Sequence, residues 1–175
     1  MPDTDFDFDH YIAAFPDFPK TGILFRDVSP LLASPEAMKA AIEGFVSKLA
    51  PFEIDMIAGV ESRGFLFSTL LAARLGIGSL MVRKPGKLPG KLRRQSYALE
   101  YGEATLVIQQ DAPVAGKSVL LIDDLLATGG TLVAARTLLE QGGAVVPACA
   151  VVIELMALKG RDIVGVPVVA LTSYD

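Results

Sequence analysis

The sequence predicts an α/β fold: a mainly parallel sheet flanked by helices. Two patterns carry that prediction. Apolar runs alternate along the chain with segments of helical periodicity. Several runs, within "DMIAGV", "KSVLLIDD" and "AVVPACAVVIEL", are continuously apolar, as strands covered on both faces must be. The 175 residues suit a single domain, 1–175, able to bury a sizeable core, and no internal repeat, low-complexity tract or long linker divides it.

Element by element, "SPEAMKAAIEGFVSKLA" reads as a helix. Ser34 stands at its N-cap, Pro35 in its first turn, and Met38, Ile42, Phe45, Val46 and Leu49 along one face. "DMIAGV" is a buried strand, and "GFLFSTLLAARLG" a helix stopped at Gly76, where a left-handed cap favours glycine. "GSLMVR" is the next strand, and "SYALEYG" and "ATLVIQQ" pair around Gly102. "KSVLLIDD" then leads into the helix "GTLVAARTLLEQGG", closed by Gly142 and Gly143. "AVVPACAVVIEL" and "VPVVAL" complete the sheet.

Composition narrows the function. The net charge of −4 argues against a general nucleic-acid binder. No apolar run is long enough for a bilayer, and the acidic opening "MPDTDFDFDH" is not a secretory leader, so a soluble cytoplasmic protein without membrane attachment is expected. His10 is the sole histidine and Cys149 the sole cysteine, which leaves Ser-His, Cys-His and His-rich metal chemistry poorly supported. Cys149, in an apolar run, reads as a buried structural thiol.

Charge is nonetheless concentrated. "RKPGKLPGKLRR" carries Arg83, Lys84, Lys87, Lys91, Arg93 and Arg94 with no acid, in a Gly/Pro-rich loop composition. It suits a local anionic ligand, and equally a solvated loop.

In such sheets ligands gather beyond the carboxyl ends of the strands. That rule brings together "GVESRG", the basic loop and "DDLLATGGT". In the last, a strand runs into Asp123 and Asp124, then Thr128, Gly129, Gly130 and Thr131 before a helix. Unpaired helix-terminal N–H groups, threonine hydroxyls and close backbone approach at glycine make a phosphate cradle. Paired carboxylates would repel phosphate unless they face hydroxyls or a cation, so a ribose 5-phosphate fits, with its diol on the acids. A strand-to-helix turn with a capping Asp is the competing reading. Arg63 in "ESRG" could grip a second anion in forked geometry, or simply begin a surface helix. Phosphate, diol and further cations together describe a sugar carrying both phosphate and pyrophosphate. The nearby "DAPVAGKS" resembles the tail of a nucleotide P-loop, but Asp111 stands where its leading glycine belongs, and the segment precedes a strand.

These residues carry a resemblance. "VLLIDDLLATGGT" resembles the phosphoribosyl diphosphate (PRPP) signature of type I phosphoribosyltransferases. "FPDFPKTGILFRDVSPLL", "ESRGFLF", "RKPGKLPG", "SYALEYG" and "ELMALKGR" are similar, in order and spacing, to segments of the adenine-specific family in that superfamily. The similarity spans about Phe15 to Tyr174.

The resemblance implies the type I phosphoribosyltransferase fold and the reaction of adenine with PRPP to give AMP and pyrophosphate. Residues 1–30 would supply the base-binding segment and 84–103 a flexible loop and hairpin. Adenine would be read by the backbone of Leu24 and by Arg26, between Phe25 and Leu125. The 5-phosphate would lie on Ala127, Thr128, Gly129, Gly130 and Thr131, and the ribose on Asp123 and Asp124. Pyrophosphate would meet Glu61, Ser62, Arg63, Arg83, Lys84 and Lys87, with a cis or otherwise strained peptide at Glu61–Ser62. Glu100 would be the acid/base partner of the purine, and Arg63 and Lys87 would assist the leaving group. Mg²⁺ would be held mainly by substrate and water, without a dedicated protein cage. The resemblance also implies a homodimer, and Lys84 to Gln95 acting as a hood over bound PRPP. Arg93 and Arg94 are left without a role.

Two rivals stand beside this reading. Another phosphoribosyltransferase, for xanthine, guanine or orotate, is opposed by "ILFRD" and "LEYG". A non-catalytic PRPP or nucleotide sensor would commonly carry a DNA-binding domain, for which this chain has neither spare length nor a basic helix.

Overall fold

The computed structural model describes residues 6–99 and 102–175. After a 3₁₀ turn at Phe8–Tyr11, the chain forms strands β1 (Ala13–Pro16) and β2 (Leu24–Asp27), then helices α1 (Ser29–Ala33) and α2 (Pro35–Leu49). Next come β3 (Met56–Val60), α3 (Gly64–Leu75), β4 (Gly78–Val82), β5 (Leu92–Ala98) and β6 (Glu103–Gln109). β7 (Val119–Leu126), α4 (Gly130–Gln141), β8 (Cys149–Leu155), a 3₁₀ turn at Met156–Leu158, α5 (Arg161–Val164) and β9 (Val168–Tyr174) complete it.

The main sheet has the order β4-β3-β7-β8-β9, and each neighbouring pair is parallel. Its apolar runs bury both faces, as expected. Val119, Leu121, Cys149 and Val151 face α4 through Leu132, Ala135, Leu138 and Leu139. The residues between them, Leu120, Ile122, Ala150 and Val152, face α2 and α3 through Ala41, Phe45, Phe67 and Leu71. Phe45 and Phe67 are fully enclosed, each contributing roughly 1.5–3 kcal/mol by burial.

Local signals fix the helices. The Ser34 hydroxyl accepts from Ala37 N at 3.2 Å, the N-cap expected for α2. Gly76, at φ 71°, ends α3 in the left-handed conformation. Two small antiparallel sheets complete the fold, β1 with β2 and β5 with β6.

Three segments differ from the sequence expectation. The strand expected from Ala144 begins at Cys149. Pro147 has no N–H to donate, and Val145 makes only an isolated bridge to Ser118. The basic loop is shorter than Lys84 to Gln95, because Leu92–Gln95 already pair with Leu106–Gln109. Buried Leu106, Val107 and Ile108 hold that pairing despite the charge of Arg93 and Arg94. Finally, β7 does not stop at the aspartates but continues to Leu126, so Asp123 and Asp124 belong to the ladder beside β8.

Candidate active site

The carboxyl ends of β3, β4 and β7 open on one cavity of about 250 Å³, lined by Glu61, Ser62, Arg63, Lys84, Tyr97, Leu106, Asp123, Asp124 and Thr131. The three segments chosen from the sequence therefore meet.

The loop after β7 leads into α4, and of Ala127 to Thr131 only Thr131 lines the cavity. Gly129, at φ 90°, turns the chain into α4, and among the described residues no side chain caps that helix. Its first amides therefore remain available for an anion. The loop is backed by Gly160: a Cβ there would stand 2.2 Å from the Ala127 carbonyl oxygen.

Asp123 and Asp124 form the floor. Asp124 is 5% exposed, and its carboxylate accepts from Nε of Arg63. Asp123 Oδ1 accepts from Asp124 N at 2.9 Å. Burial pushes the Asp123 carboxyl well above its ordinary value, and the Asp124 charge adds to that rise. The floor is tightly built: a Cβ on Gly64 would stand 2.8 Å from Ile122 O and 3.1 Å from Asp123 Oδ1.

The opposite wall is cationic. Its Glu61–Ser62 peptide is cis, one of the two forms the resemblance implies. Glu61 accepts from Lys84 N at 2.8 Å and from Arg83 Nε at 3.2 Å. Burial opposes ionisation of Glu61, yet these donors outweigh it and hold the carboxyl below its ordinary value. Arg83 also donates to the Lys87 carbonyl at 3.3 Å. Thus Arg63 and Lys84 line the cavity, whereas Arg83 and the exposed Lys87 do not.

Leu24, Phe25, Arg26 and Leu125 lie outside that lining as well. Phe25 is connected to it, with the Arg63 guanidinium carbon 5.8 Å from its ring centre. Phe25 also meets Phe18 edge-on, with ring centres 5.1 Å apart. Arg26 stacks 3.8 Å over Tyr174, whose hydroxyl donates to Asp9 at 2.6 Å. Leu125 packs on the core cluster containing Val28 and Leu31, just beyond β2. Glu100 lies outside the described residues.

Sequence reasoning missed Tyr97, Gly160 and Tyr174. Tyr97 reaches the site from β5, accepting from the Thr131 hydroxyl at 3.3 Å. Tyr97 and Gly160 fall inside segments that carry the resemblance and Tyr174 at the end of its span, but their contacts are tertiary and leave no local signal.

Comparison with known proteins agrees with this arrangement. The family model described as "Phosphoribosyl transferase domain" matches residues 28–167. An adenine phosphoribosyltransferase of Gluconobacter oxydans is 52% identical over 169 residues, covering 97% of this chain and 94% of the relative. The crystal structure of adenine phosphoribosyltransferase from Thermoanaerobacter pseudethanolicus superimposes with a TM-score of 0.92 at 42% identity, covering 95% of this chain and 98% of its own. The Saccharomyces cerevisiae enzyme, complexed with an imino-altritol bisphosphate and adenine, gives a TM-score of 0.91 at 41% identity, covering 94% of this chain and 96% of its own.

Proposed function

This chain belongs to the phosphoribosyl transferase family, and we propose from its site how it works as an enzyme of purine salvage. It transfers the phosphoribosyl group from PRPP to adenine, forming AMP and pyrophosphate. The observation that carries the mechanism is one cavity edged by an uncapped helix start, two adjacent carboxylates and two cations.

In this reading the 5-phosphate accepts from the amides of Ala127 to Thr131, and Asp123 and Asp124 hold the ribose hydroxyls. Bond breaking at C1 gives the sugar oxocarbenium character, which carboxylates beneath it favour. Pyrophosphate leaves toward Ser62, Arg63 and Lys84. Arg63 must then exchange Asp124 for the substrate. The greater charge of pyrophosphate favours that exchange, at a scale of roughly 1.5–3 kcal/mol per charge-assisted hydrogen bond. Glu61 acts on Arg83 and Lys84, and Arg83 on Lys87, so Arg83 and Lys87 approach the leaving group only if the loop moves inward.

Mg²⁺ belongs to the proposal. Asp123, whose ionisation is opposed by burial and by Asp124, gains from a nearby cation. Carried mainly on substrate oxygens and water beside Asp123 and Asp124, the ion would neutralise charge growing on pyrophosphate.

Adenine would lie between Phe25 and Leu125, with its Watson–Crick edge on the Leu24 backbone and a ring nitrogen on Arg26. Hypoxanthine would oppose donor to donor and acceptor to acceptor there, a loss of a few kcal/mol. Glu100 is kept as the purine's acid/base partner, a role usually worth less than positioning. A homodimer, which the family resemblance implies, also belongs to the proposal. A cytoplasmic setting completes the proposal. No helix among the described residues is long and apolar enough to cross a membrane.

Pyrophosphate release with PRPP and Mg²⁺, offering adenine, hypoxanthine, guanine and xanthine separately, tests the whole. Release with adenine alone is expected. Release with another base would overturn the assignment of Leu24 to Arg26.

A further inference from the structure

Behind the phosphate loop, away from the cavity, Glu154 and Arg161 form a forked ion pair. Arg161 Nε donates to Glu154 Oε1 at 2.9 Å and Nη2 to Oε2, while Nη1 donates to the Val168 carbonyl at 2.6 Å. Glu154 is 5% exposed and stands in register beside Leu126, the last residue before the loop. A buried carboxylate is tolerated only when paired, and a fork fixes orientation as well as charge.

What the pair fixes is Gly160, the residue before Arg161. A Cβ on Gly160 would stand 2.2 Å from Ala127 O and 3.0 Å from Gly129 N, and a Cβ on Gly129 would stand 2.7 Å from Gly160 O. The two backbones are in direct contact, with no room for a side chain on either. The far end of α5 is tied to the same region, because Arg136 of α4 donates to the Val164 carbonyl at 2.6 Å. α5 is therefore anchored to β8, β9 and α4 at once.

We infer that Glu154 and Arg161 are positioning residues: acting through Gly160, they hold Ala127–Thr131 in the conformation that accepts the 5-phosphate. The inference rests on the proposed role of that loop. Amides that must converge on one phosphate lose affinity when their backbone can relax, and a buried clamp on the loop's rear removes that freedom.

The test is calorimetric binding of ribose 5-phosphate, AMP and Mg²⁺-pyrophosphate to the full chain and to its Glu154→Gln, Arg161→Met and Gly160→Ala variants. Ribose 5-phosphate and AMP carry the 5-phosphate and pyrophosphate does not. The expected result is a Kd raised about tenfold or more for the first two and changed less than about twofold for pyrophosphate. Steady-state kinetics should show the same selectivity, with KM for PRPP rising more than KM for adenine. Glu154→Gln keeps shape and one acceptor, so it remains informative where Gly160→Ala fails to fold. Equal weakening of all three ligands would reduce the clamp to general stability and overturn it. So would unchanged binding in variants that fold. Failure of the unaltered chain to bind ribose 5-phosphate would overturn the loop assignment and the clamp with it.

Discussion

Arg63 lies between Phe25 and Asp124: its Nε donates to the buried carboxylate, and its guanidinium carbon is 5.8 Å from the phenyl ring centre. One side chain at the start of α3 thereby links the proposed base shelf to the proposed ribose site. It also lines the cavity with a side chain 47% exposed, as its proposed contact with pyrophosphate requires.

Replacing Arg63 by Ala removes both relations. The expected loss in kcat/KM for PRPP is about 10–100-fold, the scale of one charge-assisted contact. Arg63→Lys should recover only part of it, because an ammonium lacks the fork. Stability should also fall, since Asp124 loses its partner, by about 1–2 kcal/mol rather than the full cost of a deeply buried pair, because Arg63 is half in water. Steady-state kinetics and denaturant melts measure both. Unchanged kcat/KM in Arg63→Ala would remove Arg63 from the pyrophosphate site.

Asp123 predicts an unusual pH dependence. Burial, with the Asp124 charge, raises its carboxyl well above the ordinary value. The folded chain therefore binds this proton more tightly than the unfolded one. Between about pH 3.9, the unfolded value, and the raised folded value, the contribution of this group to stability falls as pH rises. Asp123→Asn abolishes the titration while its side-chain oxygen can still accept from Asp124 N. The variant should be more stable than its parent at neutral pH, show a flatter stability curve through that window, and turn over PRPP poorly. Paired denaturant midpoints across the window check this. Parallel curves for parent and variant would contradict the assignment.

Tyr174 predicts an effect at a distance from the cavity. Its ring lies 3.8 Å beneath the Arg26 guanidinium, and its hydroxyl bond to Asp9 ties β9 to the N-terminal 3₁₀ turn. Burial and the Asp9 bond push the phenol up to about 12, so it stays neutral throughout the working range. Tyr174→Phe keeps the ring and should change KM for adenine less than about threefold, since a cation–π contact survives the loss of the hydroxyl. Tyr174→Ala frees Arg26 and should raise that KM by about tenfold, with KM for PRPP nearly constant. Equal effects on both substrates would show that Tyr174 supports the fold and not Arg26.

The physical origin of each element explains which were legible in the sequence. β3, β7 and β8 are buried on both faces, so their composition alone identifies them. α2 has its own cap, stripe and length. The turn from β7 into α4, proposed to hold the 5-phosphate, is legible because glycine, threonine and a following helix all act locally. β1 and β2 are not: they are 4 residues each, β1 mostly exposed and β2 mostly half-buried, and held by pairing that no periodicity reports. The start of β5 reads partly as loop because Arg93 and Arg94 resemble solvated cations, although its strand state depends on apolar β6. Arg93 proves to donate to the Gln110 carbonyl at 3.4 Å, a hairpin contact rather than a ligand contact. Gly160 carries no local signal, since its contacts with Ala127 and Gly129 exist only after β8 and α5 have folded back.

That correction to the basic loop yields the last prediction. If the segment from Lys84 to Gln95 were one open hood, trypsin would cut throughout it. Instead Leu92–Ala98 pair residue by residue with Glu103–Gln109, and Tyr97 docks on Thr131. The exposed basic positions outside the ladder are Lys84, Lys87 and Lys91, and of these the Lys91 carbonyl accepts from Gln110 N at 2.8 Å, extending the ladder by one bond. Pro85 follows Lys84 and blocks that bond, leaving Lys87 as the expected early cut, with Lys91, Arg93 and Arg94 protected by the ladder. PRPP with Mg²⁺ should slow cleavage at Lys87, because closure over the leaving group draws the loop onto the site. Timed digestion with mass-spectrometric site assignment reads this directly. Cleavage at Lys87 that proceeds equally fast with and without PRPP would mean that the loop does not close. Early cleavage at Arg93 or Arg94 would mean that the hairpin opens in solution.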